Sequence, residues 1–251
     1  MNTVPEYSKE FEVDISHVDF TGRLKLSSLF QFFQDAATLH AESLGLGMEE
    51  MHKTYNALWV LVRMRVHIEK YPIWGDRVTV ETWPEKPRKF EFYRNFVAKN
   101  NKGDIFAKAV STWVVIDMDT RKLKILEPLP SAYPLSNRQR PIDCKLGRLQ
   151  PNGPLEMVYK RLIGYSDIDV NEHLNNSKYI DYIMDCFSLE YHKKCIIESI
   201  EINYKSEAFA GDNIILLKDK TSTDSDLIYV EGINEDNEQL IFKSQLKIRP
   251  R

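Results

Sequence analysis

The chain repeats itself, and this constrains its fold more than any other feature. H-V-D-F-T-G-R-L at 17–24 aligns with D-I-D-V-N-E-H-L at 167–174, an offset of 150. W-G-D-R-V-T-V at 74–80 aligns with A-G-D-N-I-I-L at 210–216, an offset of 136. Two copies of so long a period describe tandem domains and not a solenoid. In each copy an extended segment leads into an apolar helix pattern, then into strand-like runs. The first helix presents Leu26, Leu29, Phe30 and Phe33 on one face, with Ser27 or Ser28 as its N-cap and Gly45 and Gly47 at its end. Strands are expected at about 58–70, 77–84, 89–99 and 105–118, and again at about 197–205, 213–221, 227–234 and 239–248. One helix followed by an antiparallel meander is an α+β layout, the helix covering one face of the sheet. Between the copies, 119–157 carries Pro128, Pro130, Pro134, Pro141, Pro151 and Pro154. It reads as a linker lying over the surface. The expected division is therefore 1–118, 119–157 and 158–251.

Composition removes several classes. A formal net charge of −3 gives no prior for nucleic acid. No apolar run approaches the ~20 residues that span a bilayer, and the first residues lack an apolar signal core and an Arg- and Ser-rich transit character. Cys144, Cys186 and Cys195 are odd in number and widely spaced, which fits a reducing compartment, here the cytoplasm. No Cys or His pair has zinc-ligand spacing, and no phosphate-binding glycine loop occurs. No metal or cofactor is expected. The basic cluster Arg138, Arg140, Lys145 and Arg148 is read as a solvated part of the linker.

The second copy holds a polar set that the first lacks. Asp167, Asp169, Asn171, His173 and Asn175 fall at every second position, which an extended chain points to one side. Ile180, Ile183, Met184 and Phe187 then recur at helical spacing, with Asn175–Asn176 as the cap. The N–H groups of such a helix start favour developing negative charge. Opposite Asn171 and His173 the first copy has Thr21 and Arg23, and opposite Glu207 it has Tyr71. The first copy keeps the scaffold and a strongly apolar helix. That asymmetry divides the labour: one half catalyses, the other binds something apolar. Asp167 is read as a solvated turn residue. Leu29, Phe30, Phe32, Phe33, Trp59, Trp74 and Trp113 are read as core.

D-I-D-V-N-E-H-L-N-N-S-K-Y resembles the D-x-N-x-H-V-N-N-x-K-Y signature of the acyl-acyl carrier protein (ACP) thioesterases. I-E-I-N-Y-K-S-E-A-F-A-G-D and W-V-L-V-R-M-R-V-H-I-E-K-Y-P-I-W-G-D resemble further segments of that family, so the likeness runs over about residues 8–249. It implies a tandem hotdog fold, each hotdog a long helix packed on an antiparallel sheet. It implies an acyl-chain-binding N-terminal hotdog and a catalytic C-terminal one. By the resemblance Asp169, Asn171, His173 and Glu207 take the family's catalytic positions. The cysteine of the plant enzymes falls on Ala208. The compact form of the chain resembles the bacterial members.

The implied reaction is hydrolysis of fatty acyl-ACP to free fatty acid and ACP, in fatty acid biosynthesis. The partner is ACP carrying an acyl-phosphopantetheine; the chain itself is a monomer or a homodimer. A thioester is already activated, so the site must deprotonate a water, stabilise an oxyanion and release a thiol. Glu207 and His173 are the candidates to activate water. Asn171 and the N–H groups near 175–177 are candidates for the oxyanion side, with Asp169 orienting Asn171 or His173. Three alternatives stand beside this reading: an acyl-CoA thioesterase, a non-catalytic acyl-binding hotdog protein and a hotdog dehydratase. The intact Asn-His-Glu set argues against the second, and the lack of an H-F-P-G-type segment against the third.

Overall fold

The computed structural model describes residues 4–126, 133, 136–219 and 227–251. Its contacts cluster into two units: residues 1–24, 31–64 and 69–144 form the first, residues 25–30, 65–68 and 145–251 the second. Pro128, Pro130 and Pro134 of the expected linker lie outside the described residues.

The strands that lie wholly or mostly in the first unit are β1 (Tyr7–Glu12), β2 (Ala57–Ile68, of which 65–68 are counted with the second unit), β3 (Arg77–Pro84), β4 (Phe92–Asn100) and β5 (Ile105–Asp117). They order as β1-β3-β4-β5-β2, so β2 lies beside β5 and not beside β3, and the strands do not form the plain meander expected. Pairing is antiparallel from β1 to β3, β3 to β4 and β4 to β5. Alternation in β3 and β4 turns one apolar set toward α1 (Leu26–Ser43), and Phe33 of α1 meets Phe96 of β4 with ring centroids 5.1 Å apart. Leu29, Phe30, Phe32 and Phe33 are all buried, as their spacing requires. Trp74 is not core: it stands 63% exposed beside the Gly75 turn.

The helix starts two or three residues earlier than its serines indicate. Ser27 and Ser28 lie inside α1 and are buried, so neither is the N-cap. Gly45 adopts φ +66 after its last turn, a conformation that suits a residue without Cβ. A second short helix follows, α2 (Met48–Tyr55), closed by Asn56 in the left-handed region.

The second unit contains β6 (Leu155–Leu162), α3 (Asn176–Asp185), α4 (Leu189–Lys194), β7 (Cys195–Tyr204), β8 (Asn213–Asp219), β9 (Leu227–Asn234) and β10 (Leu240–Pro250). The strands order as β7-β10-β9-β8-β6, all antiparallel. Tyr179 of α3 packs edge-on against Tyr204 of β7 and Phe242 of β10, at 5.2 and 5.6 Å.

Structured chain runs into both edges of the expected linker. Leu123 bridges back to Ile116, and Lys124 N–H donates to Val115 O, so the chain folds onto β5 as far as the buried Leu126. At the other edge β6 begins at Leu155. Nor are all the linker arginines solvated. Arg138 pairs with Glu81 at 2.7 Å and lies over the Trp83 ring at 4.0 Å, while Arg140 pairs with Glu85 at 2.8 Å. Carboxylates supplied by β3 and the residue after it, remote in sequence, draw both guanidinium groups onto the first unit.

The repeat seen in the sequence is a repeat of hydrogen bonds. Asp19 N–H donates to Arg23 O at 2.8 Å, and Asp169 N–H to His173 O at 2.9 Å. Leu24 N–H donates to Pro72 O and Leu174 N–H to Ala208 O, both at 2.8 Å. Ile73 N–H and Phe209 N–H donate to the carboxylates of Asp76 and Asp212, both at 2.9 Å. The same loop is thus built twice on different side chains.

Candidate active site

The polar set does not sit on an extended strand. A 3-10 turn, Tyr165–Asp167, precedes a tight reversal in which Ile168 bridges Leu174. Glu172 N–H donates to Asp169 O at 3.0 Å, and Glu172 takes φ +63, where the first copy has Gly22 at φ +73. A non-glycine residue there stores local strain, and such residues concentrate at functional sites. Because the chain reverses, every-second spacing does not place the polar side chains on one side. Each has a separate task.

Asp169 Oδ1 accepts from the backbone N–H of Asn171 at 2.8 Å, which closes the turn. That bond holds Asn171 at the exposed tip of the loop. Asn175 caps α3: its Oδ1 accepts from Ser177 N–H at 2.9 Å and from Ser177 Oγ at 2.8 Å. The bond occupies one of the N–H groups read as available to an oxyanion.

Asp167 is buried, 3% exposed, and not a solvated turn residue. Its Oδ2 accepts from Gly164 N–H at 3.0 Å and its carbonyl from Asn175 N–H at 2.9 Å. Arg161 supplies the balancing charge at 3.9 Å and lies over the Tyr182 ring at 4.8 Å. Burial, and then the Asp167 carboxylate, push the Tyr182 hydroxyl above its usual pKa. The alternation of polar residues could not reveal this, because the 3-10 turn rotates Asp167 inward.

His173 and Glu207 are brought together. Nδ1 of His173 is 3.6 Å from Oε1 of Glu207. That exceeds a direct hydrogen bond but is within reach once the imidazole is protonated or the site tightens. Glu207 belongs to the loop after β7, where Lys205 N–H and Ser206 N–H both donate to Ile241 O. The same loop delivers Phe209, which bridges His173 through the backbone and meets its ring edge-on at 5.0 Å. Phe209 therefore restricts the imidazole plane. Asp212 in turn holds Phe209 N–H, and Gly211 at φ +94 allows the turn.

Sequence reasoning gave no role to Tyr179, Phe209 or Asp212. The signal for Asp212 was present, since Asp76 makes the same bond in the first copy. Tyr179 replaces the first copy's Leu29, by the offset of 150. Its hydroxyl pKa is raised by burial and then by the nearby charges of Glu207 and Asp169, so it stays a proton donor.

This constellation has known relatives. The acyl-ACP thioesterase N-terminal domain matches residues 5–129 and the C-terminal domain matches 158–249. The chain belongs to the acyl-ACP thioesterase family. A palmitoyl-acyl carrier protein thioesterase of Gossypium hirsutum, chloroplastic, is 30% identical over 94% of this chain and 60% of its own length. An oleoyl-acyl carrier protein thioesterase of Arabidopsis thaliana is 26% identical over 86% of the chain and 64% of its own length. The chain thus spans about three-fifths of the length of these curated relatives. Among solved structures, an acyl-ACP thioesterase from Bacteroides thetaiotaomicron is 27% identical with a TM-score of 0.88, covering 98% of both chains. A 12:0-ACP thioesterase from Umbellularia californica shares the fold, with a TM-score of 0.82 at 20% identity over 99% of this chain and 97% of its own. The fold is the α+β tandem hotdog that the resemblance implied. The polar loop and Glu207 both lie in the part that matches the C-terminal domain.

No helix among the described residues is long and apolar enough to cross a membrane.

Proposed function

We propose that this protein hydrolyses fatty acyl-ACP to free fatty acid and ACP, in fatty acid biosynthesis and in the cytoplasm. The observation that carries the reading is the approach of His173 to Glu207, on a loop bearing Asp169 and Asn171, in a chain of this family.

In the proposed reaction a water lies against the His173–Glu207 pair. One of the two takes a water proton as the oxygen attacks the thioester carbonyl. The carbonyl oxygen becomes an oxyanion, stabilised by Asn171. The C–S bond then breaks, the proton passes to the departing phosphopantetheine sulfur, and a carboxylic acid remains. Asp169 acts through the backbone of Asn171 as a positioning residue. Ala208 has no nucleophile, which supports attack by water in place of a covalent acyl-cysteine. The N-terminal domain, residues 1–118, is proposed to receive the acyl chain, supported by the buried helix face of Leu29, Phe30 and Phe33. Residues 158–251 are proposed as the catalytic part.

The test is free-thiol release by the purified full chain, on acyl-ACP and acyl-CoA series of matched chain length. Higher kcat/KM on the ACP series is expected. Turnover confined to acyl-CoA would replace the carrier, and turnover of neither would leave a binding protein.

A further inference from the structure

The two units fill one equivalent position with different chemistry. The hairpins that follow β4 and β9 are built alike: Lys102 N–H donates to Asn100 Oδ1 and Asp236 N–H to Asn234 Oδ1, both at 2.9 Å. Asn100 faces Val78 as Asn234 faces Ile214, so Arg94, six residues before Asn100, corresponds to Ile228, six residues before Asn234. Ile228 is 3% exposed. The fold therefore accepts an aliphatic side chain here and does not itself need a cation.

Arg94 lies on the side of β4 that faces α1, alternating with Phe92 and Phe96. Its Nη1 donates to Nδ1 of His40 at 2.9 Å and to Oγ1 of Thr82 at 3.3 Å. An arginine only donates, so Nδ1 of His40 accepts, and the imidazole proton sits on Nε2, which donates to Val4 O at 2.9 Å. His40 is fully buried and neutral, its pKa pushed down to about 4 by burial and then by the Arg94 charge. Burial also lowers Arg94 to about 10, which leaves it charged at neutral pH. Neither hydrogen-bonding neighbour carries a negative charge. Among the described residues no carboxylate pairs with Arg94, and its Nε and Nη2 make no hydrogen bond. A half-buried cation beside an apolar layer and without a counter-charge burdens the fold, and Ile228 shows that the scaffold can do without it.

We propose that Arg94, backed by neutral His40, forms a subsite in the first unit for an oxygen function carried by the acyl chain itself, remote from the thioester. The substrate class is an acyl chain bearing a distal carboxylate or hydroxyl. This rests on reading the N-terminal domain as the chain-binding one. The Nε–Nη2 edge is the side-on face of the guanidinium, which matches a carboxylate bidentately; a hydroxyl takes one of the two donors.

The experiment uses the full chain as wild type, Arg94→Val and Arg94→Met. Three acyl-ACPs of equal length are compared: unsubstituted, terminally hydroxylated and terminally carboxylated. The ratio of kcat/KM for the oxygenated chains to that for the unsubstituted chain is expected to fall about tenfold or more in both variants, the scale of one charge-assisted hydrogen bond. An unchanged ratio in folded variants overturns the proposal. Calorimetric binding of a long-chain dicarboxylic acid, against the monocarboxylic acid of the same length, separates this from the thioesterase reading. If no acyl-ACP is cleaved, that reading fails. Tighter diacid binding by wild type than by Arg94→Val still upholds the subsite, and equal binding overturns it. Failure of both variants to fold would mark Arg94 as a structural cation and also overturn it.

Discussion

Nδ1 of His173 stands 3.6 Å from Oε1 of Glu207, although the two residues lie on opposite sides of α3, α4 and β7 in the chain. Two loops meet to make this pair, and Phe209 fixes the imidazole plane from the side. A base of this kind is expected to act as a unit.

His173→Ala and Glu207→Ala should each lower kcat by ~10²–10⁴-fold, the usual scale of general-base assistance. The double variant should be little worse than the poorer single one, because residues that act together are not additive. Thiol release, with thermal melts to verify folding, checks this. A folded His173→Ala protein with near wild-type turnover would remove the pair from the mechanism.

Asp169 and Asp19 make one test between them. Asp169 Oδ1 holds Asn171 N–H at 2.8 Å; Asp19 Oδ1 holds Thr21 N–H at 2.7 Å in the equivalent turn. Replacing either with Ala should cost ~1 kcal/mol of stability, the usual net worth of a hydrogen bond. Only Asp169→Ala should also lower kcat, by about tenfold or more, if it positions the oxyanion donor. Equal activity losses in the two variants would show that the turn matters only for stability.

A variant with Cys144, Cys186 and Cys195 all changed to Ser or Ala should keep most of its activity. Cys186 is buried, its thiol pushed up to about 12 and donating to Tyr182 O at 3.4 Å, so it supplies no thiolate at neutral pH. Mass spectrometry of a stalled reaction should find no acyl-cysteine. Trapping one would replace water attack by covalent catalysis.

His40 predicts an acid-labile first unit. Its folded pKa, about 4, lies below the ordinary 6.5, so the unfolded chain binds the extra proton first as pH falls. The neutral-state advantage is complete above the unfolded pKa. It is lost as pH falls from 6.5 toward 4, and no more is lost below that. The full swing is on the order of 3 kcal/mol. Urea unfolding at several pH values should show this slope in wild type and a shallower one in His40→Phe. Equal slopes would assign the acid lability elsewhere.

The buried face of α1 leads to a selectivity prediction. Enlarging or shrinking Leu29 or Phe33 should shift the chain-length profile more than the maximal rate on the best substrate. Phe33 is fully enclosed, so truncation to Ala costs roughly 3–5 kcal/mol, and milder changes such as Phe33→Leu are the informative ones. A profile that responds only to changes within 158–249 would place selectivity in the other unit.

The sequence by itself determined the two-copy plan, the succession of helix and strands along each copy and the cap at Asn175, but not the strand order, in which β2 lies beside β5 and β7 beside β10. The features it did determine are local: side-chain periodicity, glycine at left-handed turns and a capping side chain two residues from its donor. It also marked which copy carries the Asp-Asn-His-Glu set. Tertiary structure alone decided what the local pattern could not express. A chain reversal made the every-second alternation meaningless as a facing rule and turned Asp167 inward against Arg161. Carboxylates remote in sequence drew Arg138 and Arg140 out of solvent. The meeting of His173 with Glu207 depends on where β7 ends relative to the loop before α3. The equivalence of Arg94 with Ile228 depends on strand register, Asn100 facing Val78 as Asn234 faces Ile214. In each case the deciding interaction joins residues far apart in the chain, and only the packed sheet brings them within reach.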